Sequence, residues 1–465
     1  MGKNIIVSLL IVVFCSYSIP ALPEDTIETG NKKLILWHRP IPTSEETVIR
    51  NRYRHYKNFL DGLIYTTAIN WKTPPGNFDR LIENNYQGIS LRRRVEIARE
   101  EGLKENFIDI LLFARQELQW TDEEKWASAI TLLSRVASRA KDIGCVGISL
   151  DVEPYGVPDG KGRIFSRGPN DLALKRGKEV GEAIFKEFSR AKLMLIFPAS
   201  FMTRKNFLYF VRGLAESPLK EIHMGWEEFY YSTKPEEIKA QDVIYNLLMI
   251  LVMDNDQNLL SKCGIAPGIW PGIHENRTRL TPEEVQIDKR AVFKIAREYV
   301  WLFPPGVNWL EETEYIKAIK PTPEERNFPY APKFIFRIEF IQQDNTGKIL
   351  NRTEFTENAL KNLLQLILQD ITTFMFQGGR QKIPSRISGE KIPVEKTILP
   401  ENSYILISLS DTTLVPLVYR GDYVFRLYPH GISRGKISLP SSRNKYFIDL
   451  ELRRTSRYIA SLVLR

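Results

Sequence analysis

The sequence predicts an α/β protein, a (β/α)8 TIM barrel followed by a smaller, mostly β, sandwich-like C-terminal domain. Two observations lead to this prediction. Eight short apolar runs alternate with charged amphipathic stretches over residues 33–320, and the pattern becomes strand-rich after a cluster of prolines. The chain has 465 residues, more than one compact core usually holds, so two domains are expected.

The eight runs are short, continuously apolar and bounded by turn residues, as buried parallel strands are. They are residues 33–37, 62–67, 107–114, 146–151, 193–198, 222–226, 264–270 and 299–303. Helices are predicted between them, including residues 122–140 with Thr121 as N-cap, 170–189, 206–215 and 282–297. No glycine-rich phosphate loop follows the first run, which disfavours an open doubly wound sheet. Eight alternations therefore predict a barrel over residues 33–320.

The second part of the chain begins after four prolines, at positions 321, 323, 329 and 332, which predict a linker. Residues 331–465 contain six strand-like runs and one amphipathic stretch at residues 356–374, which predicts a helix. We expect a β-rich C-terminal domain with a helical insertion. It either binds sugar or supports the barrel, and no motif decides between the two.

The N-terminus has the pattern of a secretory signal peptide. Lys3 precedes an apolar run at residues 5–14, and small residues follow up to Ala21. The run is about half the roughly 20 residues that a membrane span needs. We expect cleavage near residue 21 and a secreted, periplasmic or cell-envelope protein. A lipoprotein anchor at Cys15 is the alternative, although Phe14 fits that motif poorly.

Composition excludes several classes of function. The net charge is +9, but the basic residues are spread along the chain without a binding motif, so no nucleic-acid partner is expected. No later segment is apolar enough to span a membrane. The five histidines show no metal-ligand spacing, and Cys145 and Cys263 resemble small core residues, so no metal or cofactor is predicted.

The fourth run carries the strongest chemical signal, the string GISLDVE at residues 147–153. Because side chains alternate along a strand, Leu150 faces the helices while Asp151 and Glu153 face the barrel interior. Two carboxylates there are costly unless they pair with cations or work chemically. Their mutual repulsion raises one pKa, as a general acid near neutral pH requires.

This string resembles the fourth-strand signature of family 18 glycoside hydrolases, the chitinase-like barrels, whose pattern is D-G-x-D-x-D-x-E. The resemblance implies that Glu153 protonates the glycosidic oxygen and Asp151 orients the substrate's acetamido group. Val146 and Ser149 stand where the pattern has its first two aspartates. On the sixth run, MGWE at residues 224–227 resembles the family's M-x-Y-D pattern, with Trp226 in place of the tyrosine and Glu227 in place of the aspartate. Trp301 resembles the tryptophan beneath the sugar.

Other strand ends offer aromatic and planar polar side chains, which stack on sugar rings and pair with hydroxyls. The candidate substrate-binding residues are Trp37, His38, Arg39, Arg115, Trp226, Glu228, Tyr230, Trp270, His274, Glu275 and Trp301.

The sequence therefore predicts a secreted glycoside hydrolase acting on a poly- or oligosaccharide, with Glu153, Asp151 and Glu227 as catalytic residues. The acid is Glu153, and Asp151 is expected to stay ionised. Either the substrate's acetamido group attacks, or a second carboxylate, first of all Glu227, acts as nucleophile or base. The alternative is a catalytically inactive carbohydrate-binding TIM-barrel protein, and a structural envelope protein is the third.

Overall fold

A computed structural model describes most of residues 30–343 and six short stretches beyond them. The described residues are 30–84, 86–114, 118–153, 155, 165, 168–198, 201, 204–227, 229, 234–273, 278–343, 349–354, 403–410, 414–418, 424–428, 447–450 and 461–462. The predicted signal peptide and the predicted helix at 356–374 lie outside them.

The first nine strands form one parallel sheet. They are β1 Lys33–His38, β2 Gly62–Thr66, β3 Phe107–Leu111, β4 Gly147–Asp151, β5 Lys192–Phe197, β6 Glu221–Trp226, β7 Cys263–Ile265, β8 Gly268–Ile269 and β9 Tyr299–Leu302. Their spatial order is β7-β6-β5-β4-β3-β2-β1-β9-β8, and the pairings are parallel. The expected TIM-barrel-like α/β fold is confirmed in this sequential order of curled parallel strands.

The seventh apolar run forms two short strands instead of the single strand that the sequence predicts. Pro267 lies between β7 and β8 and has no backbone N–H to donate. β7 pairs only with β6, while β8 pairs only with β9. β7 and β8 are thus the two outermost strands in the sheet order, and they are consecutive parts of one interrupted strand at residues 263–269.

Helices alternate with the strands. They are α1 Glu46–Tyr56, α2 Pro75–Glu83, α3 Leu91–Glu100, α4 Glu123–Asp142, α5 Asn170–Glu187, α6 Lys205–Glu216, α7 Pro235–Val252, α8 Gln257–Lys262, α9 Pro282–Ile295, α10 Thr313–Ile319 and α11 Pro323–Arg326. The N-cap of α4 is Asp122 and not Thr121, because the Asp122 carboxylate accepts a hydrogen bond from the Lys125 N–H at 3.1 Å. None of the described helices combines the length and apolar character needed to cross a bilayer.

Alternation along the strands separates two apolar clusters. Ile148 and Leu150 of β4 belong to the large cluster between the sheet and the helices. A smaller cluster inside the curled sheet contains Trp37, Phe107 and Trp301. Ser149 and Asp151 alternate with the outward residues of β4 and are likewise buried, so they face the interior as the sequence predicts.

The proline-rich segment that we expected to be a linker contains α11 and bonds to the barrel. The Arg326 guanidinium donates to the Asp61 carboxylate at 2.7 Å. The Lys289 ammonium lies 3.0 Å from the Glu325 carboxylate, and the Lys289 and Glu325 side chains are both buried.

The later strands are β10 Ile335–Gln343, β11 Ile349–Glu354, β12 Ser403–Leu409, β13 Leu414–Val418, β14 Val424–Tyr428, β15 Phe447–Leu450 and β16 Ser461–Leu462. They form sheets of four and three strands, and their separate-domain status stays a prediction.

Candidate active site at the carboxyl ends of the strands

The carboxyl end of β4 places Asp151 inside the sheet and Glu153 at its rim. Asp151 is 1% exposed, whereas Glu153 is half-buried. The Asp151 Oδ1 accepts a hydrogen bond from the Glu153 N–H at 2.9 Å, and this contact positions the turn that follows the strand. Its Oδ2 has no hydrogen-bond partner among the described residues.

Asp109, on the neighbouring strand β3, is a site residue that the sequence analysis missed. It lies opposite Ser149 in the β3–β4 register and is fully buried. Neither of its carboxylate oxygens has a hydrogen-bond partner among the described residues. A charged residue inside the apolar run FIDIL was the available signal, since burying an unpaired carboxylate is costly.

These carboxylates perturb one another. Burial raises the pKa of Asp109 to about 7. Burial raises the pKa of Asp151 well above its usual range, and the negative charges of Asp109, Glu153 and Glu227 raise it further. This direction runs against the expectation that Asp151 stays ionised. The buried pair Asp109–Asp151 favours holding a proton at neutral pH.

Glu227 and Tyr155 complete the described group. Glu227 follows β6 and is close enough for its charge to raise the pKa of both Asp151 and Tyr155. Partial burial also raises the pKa of Tyr155, whose hydroxyl interacts with the Glu153 carboxylate. Asp151, Glu153 and Glu227, predicted from two different strands, are brought together.

An aromatic wall lies on the opposite side of the interior, built from β1, β8 and β9. The Trp37 and Trp301 rings are 5.7 Å apart, and the Trp270 and Phe303 rings are 5.2 Å apart. Trp301 is fully buried, and its indole N–H donates to the Ala266 carbonyl at 3.0 Å. Trp270 and Phe303 are only half-buried. They are therefore more exposed than Trp301, which packs against Trp37.

Two predicted binding residues face the helices instead of the interior. His38 is buried against the rings of Tyr53, Tyr56 and Tyr65, and burial lowers its pKa to about 3. Trp226 is 2% exposed and packs 5.6 Å from the Tyr245 ring of α7. Both corrections have one cause. Successive side chains along a strand point to opposite faces. Because Trp37 in β1 and Gly225 in β6 face the interior, the next residues, His38 and Trp226, face the helices.

The remaining candidates divide into one exposed residue and five outside the described part. Arg39 follows β1 and is exposed. Arg115, Glu228, Tyr230, His274 and Glu275 lie outside the described residues.

Comparison with known proteins adds structural matches only. No protein-family model matches the sequence, and no curated protein matches it. Solved structures similar to this chain include a GH18 chitinase from Pseudoalteromonas aurantia, at TM-score 0.39 and 10% identity, covering 62% of this chain and 98% of the chitinase. An endo-1,4-beta-mannanase from Rhizomucor miehei matches at TM-score 0.39 and 10% identity, covering 63% of this chain and 94% of the mannanase.

A third similar structure is a 2-naphthoyl-CoA reductase, at TM-score 0.38 and 10% identity, with 61% of this chain covered. The match spans about half of the reductase, 49% of its length. Structural matches of this kind thus include TIM-barrel glycoside hydrolases and also an enzyme of another class. These TM-scores are below 0.5, and likeness of fold alone does not assign a function to the site.

Proposed function

We propose that the chain is a glycoside hydrolase acting on a poly- or oligosaccharide, with Glu153 as general acid. The observation that carries the proposal is the approach of Asp151, Glu153 and Glu227 to one another at the carboxyl ends of β4 and β6, with Asp109 buried within the adjacent β3. Active sites of TIM-barrel enzymes form at this end. Carboxyl groups in such a cluster cannot all be ionised, so protons are available for transfer to a leaving oxygen.

The carboxyl groups differ in burial, and this difference assigns them different roles. Glu153 lies at the rim and can reach a substrate, while Asp151 and Asp109 lie beneath it. A protonated Asp151 can donate a hydrogen bond through its Oδ2, whereas an ionised one could only accept. Asp151 would therefore orient either the substrate or Glu153, and the wall of Trp270 and Phe303 would stack on a sugar ring.

Two mechanisms remain to be separated. In one, the substrate's acetamido group attacks the anomeric carbon. In the other, Glu227 acts as nucleophile or base. Aryl glycosides that differ only in carrying a 2-acetamido or a 2-hydroxyl group distinguish them. Turnover restricted to the acetamido series supports the first mechanism, and equal turnover of both supports the second.

The test of the proposal is a glycan array followed by product analysis on the hits. Glu153→Gln keeps the shape of the side chain and removes its titrating proton, so turnover should fall roughly 10²–10⁴-fold with binding retained. Glu105→Gln is the matched control, since Glu105 precedes β3 at the opposite end of the barrel. If Glu153→Gln keeps its full rate, the assignment of the acid is wrong.

The alternative is a carbohydrate-binding protein without catalysis. Val146 and Ser149 favour it, because they replace two acids of the family 18 pattern. It predicts glycan binding that yields no product and is weakened by Trp270→Ala.

Export is a separate proposal and rests on Lys3 and the apolar run at residues 5–14. Mass spectrometry of the protein purified from its native source should show a chain beginning near residue 22. A retained Met1 in the mature protein would contradict export by signal cleavage.

A further inference from the structure

The amino ends of the strands hold a second polar cluster, at the end of the barrel opposite the candidate active site. Glu221 and His223 lie two residues apart on β6, so their side chains share the inner face. Glu298 directly precedes β9, and Lys192 begins β5. None of these residues is used by the proposed glycosidase chemistry.

His223 is the centre of this cluster. Its side chain is fully buried, and its Nε2 lies 3.6 Å from a Glu221 oxygen and 3.6 Å from a Glu298 oxygen. Both distances are longer than a hydrogen bond, and neither ring nitrogen has a hydrogen-bond partner among the described residues. One ligand atom from each of the three residues lies within 4.8 Å of the others. A buried imidazole thus points between two carboxylates and lies 3.6 Å from each.

This spacing matches the ligand shell of a small tetrahedral cation. Bonds of about 2.0–2.1 Å hold tetrahedral ligands roughly 3.3–3.4 Å apart, which is close to the 3.6 Å that separates His223 Nε2 from each carboxylate. One nitrogen and two carboxylate oxygens suit zinc better than calcium or magnesium, which prefer oxygen ligands alone.

Lys192 is the competing cation. Its ammonium lies 2.5 Å from Glu298 Oε1, the oxygen that does not face His223, and 3.6 Å from Glu221 Oε2. The Lys192 side chain is 22% exposed and that of Glu221 is 39% exposed. Solvent therefore reaches the cluster past Glu221, and the lysine can turn outward when a more highly charged ion enters.

We propose that Glu221, His223 and Glu298 bind one divalent transition-metal ion, with zinc as the best match. The position gives the ion a structural role. β6 and β9 flank the strand that Pro267 interrupts, and each pairs with only one half of it. A metal held by Glu221 and His223 on one side and Glu298 on the other would bridge this joint of the sheet.

The test is calorimetric titration of the full-length protein, freed of metal with chelator, with zinc chloride. We expect one site per chain and a rise in Tm on zinc addition. His223→Asn and Glu221→Gln should each weaken binding by at least about 10–100-fold. His55→Gln, at a histidine whose Nε2 lies 3.0 Å from the Trp309 carbonyl, is the matched control and should bind as the wild type does.

Cobalt(II) provides a second measurement, because tetrahedral cobalt absorbs visible light far more strongly than octahedral cobalt. Strong absorption that disappears in Glu221→Gln supports the site. If His223→Asn does not fold, Glu221→Gln decides, since that carboxylate is partly exposed. The proposal is overturned if the wild type binds no zinc, if Glu221→Gln binds it unchanged, or if binding appears only in Lys192→Met. Each outcome is independent of glycan cleavage.

Discussion

The two ends of the barrel both hold several acidic side chains, but the pKa values of these side chains are shifted in opposite directions. At the carboxyl end, burial raises the pKa of Asp109 to about 7, and burial with neighbouring charge raises that of Asp151. At the amino end, contact with His223 and the charge of Lys192 lower the pKa of Glu221 to about 2. The pKa values of the buried acids are thus raised at one end of the fold, whereas that of Glu221 is lowered at the other.

The physical difference is the presence of a cation. Lys192 lies within 3.6 Å of Glu221 and 2.5 Å of Glu298, and its charge offsets their burial. Within the described residues, no cationic side chain forms an ion pair with Asp109 or Asp151. An unpaired buried carboxylate keeps its proton because the charged form loses its hydration without compensation. Acids that hold protons suit proton transfer, whereas ionised acids suit ion binding and stability.

The largest expected effect of breaking this contrast is on turnover. Asp151→Asn keeps the size of the side chain and a hydrogen-bond donor, but its amide cannot take up or release a proton as the carboxyl group does, so we expect kcat on a cleaved glycan to fall about 10²-fold. The pH–rate profile should also shift, which a purely structural role would not cause. Glu105→Gln, at the amino end, should leave both unchanged. A wild-type profile in Asp151→Asn would remove Asp151 from the site.

The second effect is on stability and its pH dependence. The folded-state pKa of Asp109 is raised, so the native state binds more protons than the unfolded chain, and this group's contribution to stability falls as pH rises from about 4 to about 7. Asp109→Asn removes that loss. We expect it to stabilise the protein at pH 8 by at most about 4 kcal/mol, from roughly three pKa units.

Urea unfolding at pH 5 and pH 8 measures this effect. The stabilisation by Asp109→Asn should be much smaller at pH 5. An equal effect at both pH values would show that Asp109 does not titrate between them.

The third effect is at the amino end, where we expect the substitution to lower the stability of the protein and not to raise it. Lys192→Met leaves Glu221 and Glu298 without their ammonium partner, and we expect a loss of about 1–3 kcal/mol at pH 7. The folded-state pKa of Glu221 is lowered, so its contribution is present above the unfolded pKa of about 4.5 and is lost as pH falls towards about 2. Thermal unfolding at pH 7 and pH 3 should show a smaller loss at pH 3. A loss that is independent of pH would assign the effect to packing.

The smallest effect compares two tryptophans at the same end of the barrel. Trp270 is half-buried beside Phe303, whereas Trp226 packs against α7. Trp270→Phe should raise KM for a cleaved glycan by about tenfold or less, since one stacking contact contributes about 0.5–1.5 kcal/mol. Trp226→Phe should leave KM unchanged and lower only Tm. Equal changes in KM would mean that Trp226 reaches the ligand.

The pattern of apolar residues is enough to predict which segments form the barrel strands. It also predicts that the acidic side chains at the end of β4 face the barrel interior. Continuous apolar runs predict buried parallel strands, and a period of two places Asp151 and Glu153 inside whenever Leu150 packs outside. The same rule, applied to β6, would have placed Trp226 outside with Met224. The resemblance to M-x-Y-D led to the opposite expectation.

Which strands are neighbours, and how they are aligned, depends on contacts between segments that are distant in the sequence. Asp109 joins Asp151 because the β3–β4 register sets Asp109 opposite Ser149. Glu298 joins Glu221 and His223 because β6 and β9 flank the strand interrupted at Pro267. Strand register and neighbour order arise from pairing between distant segments. Local periodicity encodes the face of a side chain, but it cannot specify what lies beside it.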